Sequence, residues 1–351
     1  MNWNEYENNY IRLAKLSGKS DEYCIKQLEY AKHLFEQDLP VIYTQEHLCR
    51  LVGYATEYVY AISNSASCFY RTFSIKKKNG KERIINEPLP SLKEIQDWIL
   101  KEILERINIS PYAKAYVKGR SIKDNARFHK RQNKVLTMDL KDFFPSITFG
   151  RVLNVFRKVG YRENVAVMLA NLCCLHNELP QGAPTSPALS NIIVSGLDYK
   201  IAEFLKGKEI RYTRYADDLT FSGDFIEGDI IKSIERIVCR QGFKINHSKT
   251  RIRKRNQRQE VTGVVVNEKL QVNRELRRRI RSDAYYIEKY GFYSHVDYTS
   301  QNRSNYLYYL IGIASYSLFI NPYDDKMREY LEIFKKELAR CKQEGVDVCS
   351  P

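Results

Sequence analysis

The sequence predicts an α+β fold, and three observations carry that expectation. Residues 211–223, "RYTRYADDLTFSG", alternate between two faces around Ala216-Asp217-Asp218, the pattern of a β-hairpin with that triplet at its tip. Residues 134–148, "KVLTMDLKDFFPSIT", open with a second alternating run. There Val135, Thr137 and Asp139 share one strand face, and Leu136, Met138 and Leu140 the other. Between and beyond these strands lie segments of helical periodicity with their own start and stop signals.

The chain's 351 residues permit a large core and more than one subdomain. A hydrophobic content of 43% with 28% charged residues describes a soluble globular protein, and no internal repeat or low-complexity tract interrupts it. The start, "MNWNEYENNY", lacks the basic-then-apolar order of a signal peptide. The longest apolar run, Tyr306 to Ile320, is broken by Gly312, Ser315 and Ser317 and is too short for a membrane span, so it reads as a buried helix. Eight cysteines show no CxxC pair and no histidine at metal-ligand spacing. Free thiols fit a reducing compartment, and the expected location is the cytoplasm.

Taken in order, "DEYCIKQLEYAKHLFEQ" has helical periodicity, and "TQEHLCRLVG" reads as a second helix capped by Thr44 and ended by Gly53. "KKKNGKER", residues 76–83, suits a basic hairpin turning at Asn79-Gly80, or else a solubilising loop. After the strand through Asp139, Pro145 breaks the pattern, and Thr148 can cap a helix through Val152, Leu153, Val155, Phe156 and Val159. In "LPQGAPTSPALSNIIVSGLDYKI", residues 179–201, an irregular loop leads to Ser186 as N-cap and Pro187 in the first turn. Such a loop suits a ligand bearing phosphate and base, or is simply a well-capped helix entry.

Charge placement points to a polyanion. Net charge is +15, and fourteen Lys and Arg between Arg240 and Arg281 face only Glu260, Glu268 and Glu275. Such a block is either a solvated face or a nucleic-acid site, and here it carries most of the net charge. "NRELRRRIRSDAYYIEKYG" reads as a basic helix able to lie along a phosphate backbone. Arg274, Arg277, Arg278 and Arg281 recur at spacings that place most of them on one face. Some of the 26 tyrosines, notably Tyr285 and Tyr286, could stack on bases.

Two adjacent aspartates repel unless a cation lies between them, so Asp217 and Asp218 mark either a solvated turn or a metal site. Asp139, flanked by apolar residues, is either salt-bridged in the core or a metal ligand. Together the three carboxylates could hold two Mg²⁺ ions about 3.5–4 Å apart, activating a hydroxyl and stabilising a departing pyrophosphate. Hard oxygen ligands are what such ions require.

The order and wording of these motifs resemble reverse transcriptases, specifically those of bacterial retrons, from about Phe73 to Gly263 and more weakly beyond. "YADD" (215–218) looks like the palm hairpin, "DLKDFFPSI" the first palm aspartate and "LPQGAPTSP" the dNTP-side loop. "NARFH" (125–129) and "VTG" (261–263) are similar to two retron signatures. The resemblance implies a right-hand polymerase with fingers, an antiparallel palm sheet and a helical thumb. It implies Asp139, Asp217 and Asp218 as catalytic metal ligands. Lys76 and Arg83 would reach the triphosphate, Gln181 would contact the nucleotide, and Phe144 would obstruct a 2′-hydroxyl. Lys249 would lie near the pyrophosphate. Asn125, His129 and Thr262 would serve RNA binding or local scaffolding, and Arg274, Arg277, Arg278 and Arg281 RNA binding.

The implied organisation is a helical extension over 1–70, fingers over 71–134, palm over 135–272 with a helical insertion near 150–178, and thumb over 273–351. The tail after Gln271 would suffice for a helical thumb alone, which argues against group II intron proteins. Implied partners are dNTPs, a structured non-coding RNA and its branched, 2′-OH-primed RNA–DNA product, and a separate effector protein in phage defence; no membrane is involved. Rival readings are another bacterial reverse transcriptase class and a non-catalytic RNA-binding scaffold on the same fold.

Overall fold

The computed structural model describes residues 2–76, 80, 82–300, 303 and 305–344. The chain divides into two compact units, each assembled from separate stretches. One comprises Met1–Val117, Leu140–Phe204 and Ser233–Ile245; the other comprises Lys118–Asp139, Leu205–Lys232 and Asn246–Pro351.

In the first unit, four helices (Trp3–Leu16, Asp21–Phe35, Gln45–Val52 and Thr56–Asn64) precede an antiparallel ribbon of Tyr70–Lys76 and Glu82–Pro88. Local chemistry sets these boundaries. The Thr44 hydroxyl accepts from the His47 amide at 3.1 Å, and Gly53 ends the same helix in the left-handed conformation (φ 79°), as the sequence anticipates. Of the basic turn, Lys77, Lys78, Asn79 and Lys81 lie outside the described residues. Helices Phe149–Lys158 and Glu163–Cys173 follow, the second with seven of its eleven residues buried. Thr148 stands at the N-cap of the first, although its side chain makes no capping bond. The helix expected after Ser186 starts instead at Thr185 and runs to Leu205, which puts Ser186 and Pro187 inside its first turn.

The second unit is built on a four-stranded antiparallel sheet, in the order Arg211–Tyr215, Asp218–Gly223, Lys134–Asp139, Arg251–Lys254. A smaller three-stranded sheet (Glu260–Val261, Val264–Val265, Gln271–Val272) leads into helices Arg274–Tyr290, Phe292–Thr299, Tyr306–Ile320 and Asp325–Gln343. Ile280, Ile287, Leu307, Leu310, Leu331 and Phe334 form the core of this helical part. The helix Tyr306–Ile320 buries one side only, because Tyr308 and Phe319 remain exposed; its largely apolar sequence overstated its burial. Among the described residues, no helix is long and apolar enough to cross a membrane.

Candidate active site

Asp139 and Asp218 are direct cross-strand partners in the four-stranded sheet. Asp218 also pairs with Tyr215, so the hairpin loop is only Ala216-Asp217, one residue shorter than the sequence suggests. Ala216 is held at φ 56°, a conformation that costs an L-residue on the order of 1 kcal/mol. The fully buried Arg214 donates to the Ala216 carbonyl at 3.2 Å and so braces the strained tip. Arg214 was not singled out from the sequence. The available signal was a charged residue on the apolar side of the alternation in "RYTRY".

Directly opposed like charges destabilise a sheet. Burial, reinforced by the charges of Asp217 and Asp139, raises the Asp218 carboxyl to about 7, and Lys249 partly relieves it. Lys249 Nζ lies 2.6 Å from one oxygen of Asp139, and Asn246 Nδ2 donates to the other at 3.2 Å. Burial alone would lower the Lys249 pKa, but the bond to Asp139 and the charges of Asp139, Asp217 and Asp218 outweigh it and keep the amine protonated. Asp139 itself is 5% exposed. Three carboxylates thus meet at one corner, where the Lys249 ammonium offsets part of their charge.

This donor set fits divalent cations. It offers only hard oxygens at high negative charge, the preference of Mg²⁺-class ions. Among the described residues, no three acidic, His or Cys side chains already stand as a ready ligand group. Lys249 supplies a counter-charge to Asp139 in this arrangement.

Of the residues expected around the nucleotide, Lys76, Arg83, Phe144 and Gln181 belong to the first unit and Lys249 to the second. Gln181 accepts from the Asn86 amide through its carbonyl at 2.7 Å, which fixes the loop to the ribbon strand Glu82–Pro88. Gly182 makes this approach possible: a Cβ there would meet the Asn86 carbonyl at 2.6 Å. Phe144 is half-buried and packs edge-on to the buried Phe143 at 5.3 Å. Lys76 lies opposite Glu82, and Arg83 opposite Ile75. That register sets the two cations on opposite faces of the ribbon, so a shared triphosphate contact depends on the reach of two long side chains.

Asn125 and His129 are fully buried. His129 lies 2.7 Å from the Ser222 hydroxyl and 2.8 Å from that of Thr213, and Thr213 donates to Asn125 Oδ1 at 2.6 Å. Asn125 Nδ2 donates in turn to Thr262 at 3.3 Å. Of the two roles expected for Asn125 and His129, burial removes direct RNA contact and leaves scaffolding. Both retron-like strings therefore meet in one network on the strands that carry Asp217 and Asp218. Thr262 and Gly263 form a two-residue turn with φ of 48° and 83°, a type I′ geometry that is unusual for a β-branched residue.

Arg274, Arg277, Arg278 and Arg281 line one cavity of about 390 Å³, together with Asp324, Lys326 and Tyr330. The helical spacing thus gathers them as expected, and the structure adds Lys326 and Tyr330 from a helix some 50 residues later. Arg277 is tied to Asp324 at 3.2 Å. The other three have no carboxylate partner among the described residues.

Comparison with known proteins matches residues 75–266 to the family described as Reverse transcriptase (RNA-dependent DNA polymerase). The chain is 35% identical to the retron Ec86 reverse transcriptase of Escherichia coli, over 75% of this chain and 84% of that protein. It is 35% identical to the retron Mx65 reverse transcriptase of Myxococcus xanthus, covering 81% and 70% respectively. It is 32% identical to the retron Se72 reverse transcriptase of Salmonella heidelberg, covering 71% and 68%.

Proposed function

The chain belongs to the reverse transcriptase family, with retron reverse transcriptases as its relatives, and from that premise we propose that it copies a dedicated structured non-coding RNA into DNA from an internal 2′-hydroxyl. It is an RNA-directed DNA polymerase, and an RNA template is its partner. The observation that carries the catalytic assignment is the cross-strand pair Asp139–Asp218, with Asp217 at the adjoining tip.

In the proposed reaction the ribose 2′-oxygen bonds to the α-phosphorus of a dNTP, its proton is lost and pyrophosphate leaves. Asp139, Asp217 and Asp218 would hold the divalent ions the family uses, here Mg²⁺, which activate the attacking hydroxyl and offset charge on the leaving group. Lys249, kept protonated beside the aspartates, is suited to protonate the departing pyrophosphate. Lys76, Arg83 and Gln181 would position the nucleotide, and Phe144 would exclude ribonucleotides by bulk. In this reading the first ribbon is the fingers, the four-stranded sheet the palm, and the helices from Arg274 onward the thumb. The product would be a branched RNA–DNA, made in the cytoplasm beside a separate effector protein in phage defence.

Sequencing the nucleic acid that copurifies with the protein from its host tests this directly. One predominant RNA joined to a short DNA, with a few ribonucleotides left on the DNA after RNase, is expected. A heterogeneous mixture without such a linkage would overturn the retron-type product while leaving a general reverse transcriptase.

A further inference from the structure

Beside the catalytic aspartates, the four-stranded sheet borders a groove of about 550 Å³. Asp218 opens it, Val135, Thr137 and Thr220 form its floor, and Arg251 and Arg253 border it. The register fixes this layout: Thr137 pairs with both Thr220 and Arg251, and Val135 pairs with Arg253. Arg251 therefore lies two strand spacings, about 10 Å, across from the strand of Asp218, and one residue pair, about 7 Å, further along. A guanidinium on a long stem spans part of that distance, so a charge on the nucleotide next to the catalytic row is within its reach.

These two arginines are uncommitted. Among the described residues, Arg251 donates only to the neighbouring Thr250 carbonyl at 2.8 Å, and Arg253 only to the Ile252 carbonyl at 3.3 Å. Arg258, also at the groove, is neutralised by Glu260 at 2.6 Å. A guanidinium has five N–H donors, so Arg251 and Arg253 each keep most of theirs for a ligand. Their fork geometry favours phosphate, and the hydroxyl of the half-buried Thr137 beside them is suited to a ribose 2′-hydroxyl.

Priming from an internal 2′-hydroxyl creates a need that priming from a chain end does not. The reacting ribose still carries its 3′-phosphodiester, so a second anionic strand must leave the catalytic row. We infer that Arg251 and Arg253 bind the 3′-phosphodiester of the initiating ribonucleotide, so that the groove is the exit path for RNA continuing past the branch. This inference rests on the 2′-priming reading above and assigns that reading a subsite.

Two measurements on the full-length protein test it. In the first, fluorescent ribotetranucleotides ending in a 3′-hydroxyl or a 3′-phosphate are titrated against wild type and Arg251→Gln/Arg253→Gln. Wild type should bind the phosphorylated form about tenfold more tightly, and the double variant should lose that preference. Equal affinity for both in wild type overturns the subsite. In the second, DNA synthesis on the gel-isolated copurifying RNA is compared with extension of oligo(dT) on poly(rA). The ratio of RNA-primed to oligo(dT)-primed synthesis should fall about tenfold in the variant. A proportional loss of both would instead make these arginines general strand contacts. If wild type joins no DNA to its RNA, the 2′-priming reading has failed, and the phosphate preference in the first measurement still decides whether the groove binds phosphate.

Discussion

The imidazole of His129 lies 2.8 Å from the Thr213 hydroxyl, two residues before Tyr215 on the strand that leads into the aspartate tip. Ser222, on the partner strand, holds the other ring nitrogen at 2.7 Å. Thr213→Val or Ser222→Ala strands a buried imidazole nitrogen, which costs about 1–3 kcal/mol. A fall in Tm of several degrees is expected, with RNA retention per folded molecule unchanged. RNA loss at an unaltered Tm would return this network to a role in RNA contact.

Asp217→Asn combined with Asp218→Asn keeps side-chain volume but removes two of three carboxylates. DNA synthesis should drop to background, while circular dichroism and copurifying RNA match wild type because the arginine cavity is untouched. Substantial residual synthesis would show that the ions are held elsewhere.

Stability without metal should respond to the same corner with a defined sign. The Asp218 carboxyl is raised to about 7 by burial and by its acidic neighbours, so its ionisation is harder folded than unfolded. Wild type therefore loses stability as pH climbs from the ordinary carboxylate range, about 4, towards 7, and the deficit persists above that. In EDTA at pH 8, Asp218→Asn should melt a few degrees above wild type, and the two should converge near pH 4. A gap independent of pH would show that repulsion at Asp218 is not its source.

Phe144, half-buried against Phe143, has a ring large enough to discriminate by shape. Phe144→Val should raise the ratio of rNTP to dNTP incorporation efficiency by at least tenfold. An unchanged ratio in an active variant places sugar selection elsewhere, Gln181 being the next candidate.

The arginine cavity gives a salt-dependent expectation. Arg277 is a poor probe because its loss would also leave Asp324 unpaired. Arg278→Gln with Arg281→Gln removes two uncommitted cations from the cavity wall. The slope of log affinity against log salt should flatten by about 0.7–0.9 for each phosphate that is no longer neutralised. Weaker binding with an unaltered slope would mean the pair supports the helix instead of touching phosphate.

By itself the sequence determined what depends on neighbours along the chain. Alternation around Asp139 and around Asp217-Asp218 set which residues share a strand face, and Thr44 and Gly53 marked a helix through side-chain and left-handed caps. The 3.6-residue period put four arginines on one side of a helix. Tertiary structure alone decided the pairings between distant segments. It brought Lys249 onto Asp139 across 110 positions and laid Arg251 beside Thr137. It also buried Asn125 and His129, for which the resemblance had implied either RNA binding or local scaffolding. Periodicity reports the orientation of a side chain within its own element. Whether that face then meets solvent, a carboxylate or a hydroxyl depends on strand register and packing, and these are settled only when segments far apart in the chain compete to bury the same surface.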